Sequence, residues 1–530
     1  MFFWRNRTLL KMDKLMSQRY RKLERIRELG IHPYPDRYER THSLKEVMGL
    51  GEGERVRVCG RLTALRQMGG LVYGDLQDME GRVQVSFARN NFVDFDRLLE
   101  TVDIGDFLGV EGILYRTKRG ELTVDASGYT FLGKALRPLP TKWHGLQDRE
   151  LCYRQRYLDL IMSAATRERF LFRSRLVQVI RRFLEDHHFL EVETPVLINK
   201  PSGALATPFR THHNALDIDV YLRIAPETYL KRLIVGGFDR IFEFARCFRN
   251  EGMDPTHLQD FTMLEYYCAY WNYEDNMKFT EKLMVHLLRE LAEPLARLEW
   301  YNEIQALKRS GRGKEALKLF RRGPKKPQPL KVRVLGEEID FTPPWPRVSL
   351  RDLILRDCGL DIDEYPEEGD LRRAIQGKGI ELEGIEGMGR GKMIDTLYKK
   401  VSRPGLLQPT FITSHPLELS PLARKSDANP EVVDRFQLVV MGAEIVNAYS
   451  ELVDPLDQRA RLEEQARLHQ RGDEEAMVMD EDYLLCMEYG MPPISGWGMG
   501  IDRVVALLSG QENLRDVIFF PLMKPLELGD

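Results

Sequence analysis

The sequence predicts an α+β chain: a small closed β-barrel near the N-terminus, then a larger domain organised around a strand–loop–strand with one polar, aromatic-bearing face. Three observations predict it. The chain has 530 residues, enough for two or more domains and a large buried core. Between residues 53 and 134, five short runs alternate apolar and polar residues, namely RVRVCGRLTAL, GLVYGDLQD, RVQVSFA, FLGVEGILYRT and ELTVDASGYTFL, separated by Gly, Glu and Asn turns. Residues 246–270, RCFRNEGMDPTHLQDFTMLEYYCAY, read at period two as a strand, a polar loop and a second strand.

Composition narrows the function classes. A net charge of -3 and a pI near 6.5 exclude a globally basic nucleic-acid binder, so any RNA contact must come from local patches. The six cysteines are scattered and form no CxxC pair, so neither a zinc site nor a disulfide framework is expected, and a reducing cytosol fits. No run of about 18 apolar residues suggests a membrane span. The opening MFFWRNRTLLKM has arginines but no adequate apolar region, and Asp13 and Glu24 argue against a transit peptide.

Taken in order, residues 14–30 read as a basic helix ended by Gly30 and the Pro33/Pro35 pair. Its Arg19, Arg21, Lys22, Arg25 and Arg27 suit a solvated helix face somewhat better than an RNA contact. Five strands in so short a span suit an OB-fold, a common oligonucleotide reader. In RVQVSF, Val83, Val85 and Phe87 point inward, so Gln84 points outward. Pro138 and Pro140 mark a boundary. Phe172, Leu176, Val179 and Phe183 recur at helical spacing, and FLEVETPVL reads as a strand ending at Pro195.

In the strand–loop–strand, Arg249 and Glu251 share one face, and Phe242, Phe244 and Phe248 the other. Phe261, Met263, Glu265 and Tyr267 line one face of the second strand. An arginine, two carboxylates, a phenol and a ring on one surface suit a ligand carrying phosphate, ammonium and a flat base. FRNEG alone would read as a solvated surface hairpin. Residues from about 300 to 330 form a strongly basic segment that suits an inserted helical hairpin with a solvated face better than an extra RNA contact. Residues from about 360 to 405 read as a small helical insertion. Further on, Asn447, Tyr449 and Glu451 share a face by alternation, whereas Glu444 has the opposite parity. Gly496, Gly498 and Gly500 lead a strand into a helix opening at Ile501, with Arg503 in its first turn. Glycines let a nucleotide lie against the backbone, and a helix start adds positive potential.

These stretches, in this order, resemble the class II (subclass b) aminoacyl-tRNA synthetases in the form of the lysyl-tRNA synthetases, from about Tyr20 to Pro525. Residues 246–270 are similar to motif 2, the GWGMGIDR stretch to motif 3, and the helix and strand around 172–195 to motif 1. The resemblance implies an N-terminal OB-fold β-barrel plus a class II synthetase catalytic domain, an antiparallel sheet flanked by helices. Its domains would be a basic extension at 1–52, an anticodon-binding barrel at 53–140, a linker at 141–160 and a catalytic domain at 161–530. The implied activity is lysine–tRNA ligation: ATP and L-lysine give lysyl-adenylate and pyrophosphate, and lysine then passes to the 3′ end of tRNA(Lys). It also implies Mg²⁺ as cofactor, a homodimer through the motif 1 region, and a cytoplasmic location without a membrane.

Carried over residue by residue, the resemblance makes Arg249 and Arg503 catalytic, on the α- and γ-phosphates. Gly203, Glu227, Arg249, Glu265, Tyr267, Asn447, Tyr449 and Glu451 would bind lysine: Glu227 its α-ammonium, Asn447 its carboxylate, Tyr449 its stem, and Glu451 with Glu265 and Tyr267 its ε-ammonium. Arg249, Glu251, His257, Phe261, Glu444 and Arg503 would bind ATP, with Glu251 reading the adenine edge and Phe261 stacking on it. Glu444 and Gln437 fall at metal positions, and Arg66, Tyr73, Gln84 and Glu121 at anticodon contacts. An acidic lining of this kind favours lysine over aspartate or asparagine, because carboxylates left unpaired reject a side chain lacking the amine by roughly 10⁴–10⁵.

The chain departs from the family where Thr207 and Thr256 replace arginines, Gln437 replaces a carboxylate, Asp75 a histidine, and Leu258 and Gln259 an Asn-Pro pair. The reading is a divergent, active enzyme with a raised ATP or Mg²⁺ requirement. Its rivals are a protein lysyltransferase, disfavoured by the intact barrel, and a non-catalytic RNA-binding paralogue, disfavoured by the retained pocket residues.

Overall fold

A computed structural model describes residues 14–140, 148–201, 203–204, 206–470 and 476–525. The opening stretch weighed as a transit peptide, and residues 141–147 of the expected linker, lie outside them. The chain divides into two compact units, Met1–Gln147 and Asp148–Asp530.

In the first unit, helix α1 (Lys14–Glu28) precedes strands β1 (Arg55–Met68), β2 (Leu71–Gln77), β3 (Arg82–Ala88), β4 (Phe107–Arg116) and β5 (Leu122–Gly133). The alternating runs become these strands because closure in the order β1-β2-β3-β5-β4 buries one face of each and leaves no open edge. Val56, Val58, Val72, Val83, Val85 and Phe87 fill the interior. Two expectations need correction here. Gln84 lies on the face opposite Val83 and Val85 but is only 7% exposed, because its carboxamide donates to Glu121 (3.2 Å) and accepts from the Thr123 hydroxyl (3.0 Å). The basic stripe of α1 is also not uniformly solvated. Arg19 is buried and donates to the carbonyls of Ile104 (2.8 Å) and Ala135 (3.0 Å), while Lys22 pairs with Asp103 and Arg25 with Glu100. Arg21 and Arg27 remain exposed.

The second unit is built on an eight-stranded sheet. Its strands are β6 (Leu190–Glu191), β7 (Arg240–Phe248), β8 (Asp260–Ala269), β9 (Arg347–Ser349), β10 (Thr410–Pro416), β11 (Val432–Val440), β12 (Ala443–Ser450) and β13 (Ile494–Gly500). They lie in the order β9-β10-β11-β12-β13-β8-β7-β6, antiparallel except for the edge pairs β9/β10 and β6/β7. The helices used below are α2 (Ala164–Asp186), α3 (Glu227–Val235), α4 (Tyr273–Glu290), α5 (Ala292–Arg309), α6 (Gly313–Arg322), α7 (Glu481–Glu488) and α8 (Ile501–Leu508).

One face of the sheet packs on α2, α4 and α8. Phe172, Leu176 and Phe183 join Leu283, Leu287, Trp497 and Val505 in one core, with Val179 at its margin. Each such burial contributes roughly 1.5–3 kcal/mol. The apolar stripe of α2 is therefore core of its own chain. A satisfied polar network ties α4 to the strands beneath the site. The Tyr266 hydroxyl donates to Asn276 (2.9 Å), Asn276 donates to Ser495 (2.7 Å), and the Trp497 indole donates to Thr280 (2.9 Å).

The strand expected over FLEVETPVL is broken. Only Leu190–Glu191 pairs with β7, and Leu197–Ile198 joins a separate three-stranded sheet. Pro195 cannot donate to a ladder, and the carbonyl and hydroxyl of Thr194 are both taken by the Arg223 guanidinium at 3.0 Å. The basic segment near 300–330 does fold as a helical hairpin, α5 and α6, clasped by the Trp300 indole donating to the Leu319 carbonyl (3.0 Å) and stacking on Phe320. The 360–405 region carries its own small core, including Leu371, Ile375, Met393 and Leu397. Among the described residues no helix is long and apolar enough to cross a membrane.

Candidate active site

The other face of the sheet opens into a cavity of about 330 Å³. Its shape follows from the register of β13, which runs between β8 and β12. Gly496 pairs with Tyr267 on one side and Tyr449 on the other, and Gly498 with Glu265 and Asn447. A glycine strand flanked by long side chains makes a trough. A Cβ on Gly496 would meet Glu451 Oε1 at 2.2 Å and Tyr267 Cε1 at 2.5 Å, so no larger residue fits. Gly203 reaches the same cavity at φ 89°, with its missing Cβ 3.0 Å from the Cβ of Glu227.

The cavity brings together Gly203, Glu227, Arg249, Glu251, His257, Phe261, Glu265, Tyr267, Glu444, Asn447, Tyr449, Glu451 and Arg503. They come from the β7/β8 hairpin, the loop at Gly203, α3, β12 with the residue that follows it, and the start of α8; the period-two reading of 246–270 concerned the hairpin residues alone. Glu444 joins them because of a bulge. Leu438 pairs with Val446 but Val439 with Glu444, so Ile445 is an extra residue that resets the parity.

One end is acidic and buried. Glu265, Glu451, Tyr267 and Glu227 are all nearly inaccessible. The Tyr449 hydroxyl donates to Glu227 Oε1 (2.7 Å), and the Tyr267 hydroxyl to Glu265 Oε2 (3.3 Å). Burial, reinforced by repulsion from Glu227, pushes the Glu265 carboxyl well above the usual range. Burial likewise pushes Glu451 up, to about 8, although Lys231 pulls it back. Lys231 was not anticipated. Its ammonium, fully buried on α3, donates to Glu227 Oε1 (2.6 Å) and forms an ion pair with Glu451. The spacing from Glu227 to Lys231 was visible, but at i, i+4 it reads as an ordinary exposed helix pair. Arg435 is a second residue the sequence did not flag. Its Nε donates to Asn447 Oδ1 (2.8 Å), which leaves the Asn447 amide nitrogen as the donor available to a carboxylate.

The other end is cationic. The Arg249 guanidinium lies 5.1 Å from the Phe261 ring centroid, and its backbone N–H is fixed by the Gln259 carbonyl (2.9 Å). Arg503 donates to the Glu444 carbonyl (3.3 Å), and its helix is anchored by Thr262 N–H donating to Asp502 (2.8 Å). His257 contacts Asp254 at 2.7 Å. Burial alone would raise the Asp254 carboxyl, but hydrogen bonds from His257 and Thr256 hold it at about 2. Thr256 lines the cavity, whereas Thr207 contributes a backbone carbonyl to Asn250 N–H (2.8 Å).

Gln437 does not line the cavity, but its amide nitrogen donates to Glu444 Oε2 (2.8 Å). Among the described residues no cluster of three or more His, Cys, Asp or Glu is arranged to hold a metal. One carboxylate beside one amide fits a Mg²⁺ ligated mainly by water and phosphate, not an all-protein cage.

On the barrel, Arg66 and Tyr73 face each other across β1 and β2, and Gln84 is hydrogen-bonded to Glu121. Asp75 is buried between Arg66 (3.6 Å) and Arg82 (3.2 Å). Arg66 is thus half-exposed but already carries an anionic partner.

The family described as tRNA synthetases class II (D, K and N) matches residues 148–524, and the OB-fold nucleic acid binding domain matches residues 56–132. The chain is 43% identical over 519 residues to the lysine–tRNA ligase of Moorella thermoacetica, covering 97% of this chain and 99% of that protein. It is 42% identical over 524 residues to that of Magnetococcus marinus, covering 97% of each. With that of Fervidobacterium nodosum it shares 41% identity over 515 residues, covering 96% and 93%. An α+β chain with an N-terminal OB-fold barrel and a glycine-floored cavity on an antiparallel sheet, matched over nearly its whole length, belongs to the class II tRNA synthetases of the D, K and N group.

Proposed function

We propose that the protein is a lysine–tRNA ligase that joins L-lysine to the 3′ end of tRNA(Lys) at the expense of ATP. The observation that carries this reading is the pairing of a buried acidic end, Glu227, Glu265 and Glu451, with a cationic end, Arg249 and Arg503, in one cavity. Lysine brings two ammonium groups to the acidic end and a carboxylate to the cationic end, whereas aspartate or asparagine brings no side-chain ammonium and leaves buried carboxylates unpaired.

In the first step a lysine carboxylate oxygen attacks the α-phosphorus of ATP. The bond to the bridging oxygen breaks, and pyrophosphate leaves with its electron pair. The carboxylate is already ionised, so no general base is needed, and catalysis is positioning plus charge neutralisation. Glu227 takes the α-ammonium, Asn447 and Arg249 the carboxylate, and Tyr449 the aliphatic stem. Glu265, Tyr267 and Glu451 surround the ε-ammonium, and Gly203 admits the amino acid close to the backbone. Arg249 also steadies the α-phosphate, and Arg503 and His257 the outer phosphates. Glu251 reads the adenine edge and Phe261 stacks on the base. In the second step a terminal ribose hydroxyl of tRNA attacks the adenylate carbonyl, loses its proton, and AMP departs.

Mg²⁺ is the metal the donor set suits, held by Glu444 and, with its amide turned over, by the oxygen of Gln437. When bound it supplies neutralisation of the polyphosphate. Arg66, Tyr73, Gln84 and Glu121 are the anticodon contacts, with Tyr73 as the stacking ring. The enzyme acts as a homodimer through the motif 1 region, in the cytoplasm beside its tRNA.

ATP–pyrophosphate exchange without tRNA tests the reading. Exchange with lysine, and none with aspartate or asparagine, is expected. Silence with every amino acid in folded protein would favour the non-catalytic paralogue and make Thr207, Thr256 and Gln437 marks of a lost activity.

A further inference from the structure

Three carboxylates, Glu227, Glu265 and Glu451, are buried at the acidic end of the cavity, yet lysine offers only two ammonium groups. The third charge has a partner inside the protein. Lys231 is 0% exposed on α3, and its Nζ lies 2.6 Å from Glu227 Oε1 and against Glu451 Oε2. The rings of Tyr449 and Tyr483 each have their centroids 5.8 Å from that ammonium. Glu265 and Tyr267 face the same cluster from β8. Lys231 itself is not part of the cavity lining; it stands behind the two carboxylates that are.

We propose that Lys231 is a positioning residue that sets the charge of the amino-acid pocket, cancelling one of three carboxylates so that two negative charges remain for the two ammonium groups of lysine. The proposal rests on the lysine-pocket reading above. It acts through Glu227 and Glu451, both of which it holds in place, and it draws the Glu451 carboxyl, raised by burial, back toward the ionised form. A buried ion pair whose only role was to brace the fold would have no reason to engage the two carboxylates that line the substrate cavity. A pocket lacking this cation would have to empty one carboxylate of its charge by protonation, because an unpaired buried charge is too costly to keep. The cost would fall on lysine binding, which needs those groups ionised. Lys231 also shares Glu227 Oε1 with the Tyr449 hydroxyl, so two donors fix the orientation of that carboxylate before substrate arrives.

The test compares wild type with Lys231→Met and Lys231→Gln in lysine-dependent exchange. The glutamine keeps a donor and removes only the charge, and it serves if the methionine variant does not fold. The expected result is a KM for lysine raised at least about tenfold at pH 7.5, with KM for ATP within about twofold, and an acid limb of kcat/KM for lysine moved to higher pH by about one unit. Calorimetry in buffers of different ionisation enthalpy at pH 8.5 should show about half a proton more released per lysine bound than in wild type, the most that a one-unit shift of a single group gives. A wild type that does not activate lysine would sink the lysine-pocket reading itself. An active wild type, with folded variants whose acid limb and proton release are unchanged, would overturn the role of Lys231 alone.

Discussion

Substituting Gly496 by alanine should disable the amino-acid end of the cavity while sparing the nucleotide end. Gly496 does not have a positive φ, so alanine brings no backbone strain and its effect is collision alone. The new methyl would lie 2.2 Å from Glu451 Oε1 and 2.5 Å from Tyr267 Cε1, where ordinary van der Waals contact begins at 3.4 Å. Neither partner can swing into solvent, since Glu451 is 1% and Tyr267 3% exposed. Glu451 and Tyr267 together, or β13 itself, must therefore move by about an ångström. A misplacement of about 1 Å in a positioned group costs on the order of 10²-fold, or about 2.7 kcal/mol of transition-state stabilisation. Arg503, His257 and Glu444 lie at the other end of the cavity, so KM for ATP should stay within about twofold. Exchange kinetics with lysine and ATP varied separately, on protein shown by thermal melting to be folded, read both effects. A folded Gly496→Ala enzyme with wild-type kcat/KM for lysine would refute the placement of Glu451 and Tyr267 around the substrate.

Other consequences can be checked alongside. Glu265 and Glu451 have raised carboxyls, so in the empty pocket their contribution to stability is full below the unfolded value near 4 and is lost as pH rises, for Glu451 through about 8. Lysine restores paired charges, so the rise in Tm caused by saturating lysine should be larger at pH 8.5 than at pH 6.5; equal shifts would contradict it. Arg503→Ala should lower kcat for exchange about 10²–10³-fold with folding intact, as expected for loss of a positioned charge on a phosphate. Gln437→Glu should lower the Mg²⁺ concentration giving half-maximal exchange several-fold, because it turns an amide beside Glu444 into a second carboxylate. No change in Mg²⁺ dependence would remove Gln437 from the metal site.

Much of this was legible in the residues because alternation is a strong signal wherever one face is buried. It gave the barrel strands, the β7/β8 hairpin and the shared face of Asn447, Tyr449 and Glu451. It failed where a local event breaks the count. Glu444 was assigned the wrong parity because the bulge at Ile445 inserts one residue. The FLEVETPVL strand is interrupted because Arg223 and Pro195 remove the Thr194 carbonyl and the next N–H from pairing. Gln84 faces outward, as counted, but lies buried under its bonds to Glu121 and Thr123. Arg19 and Lys231 were illegible for a related reason. Charged residues on helices are usually solvated, and only the tertiary structure reveals that Arg19 meets backbone carbonyls and Lys231 two carboxylates.

The central claim is that this cavity charges tRNA with lysine. Incubating the protein with ATP, Mg²⁺, labelled lysine and a tRNA(Lys) transcript measures it directly. The account predicts lysine on the transcript, none when aspartate or asparagine is supplied instead, and loss of charging in Glu265→Gln. Folded protein that leaves the transcript uncharged, or that charges it equally well after Glu265→Gln, would contradict it.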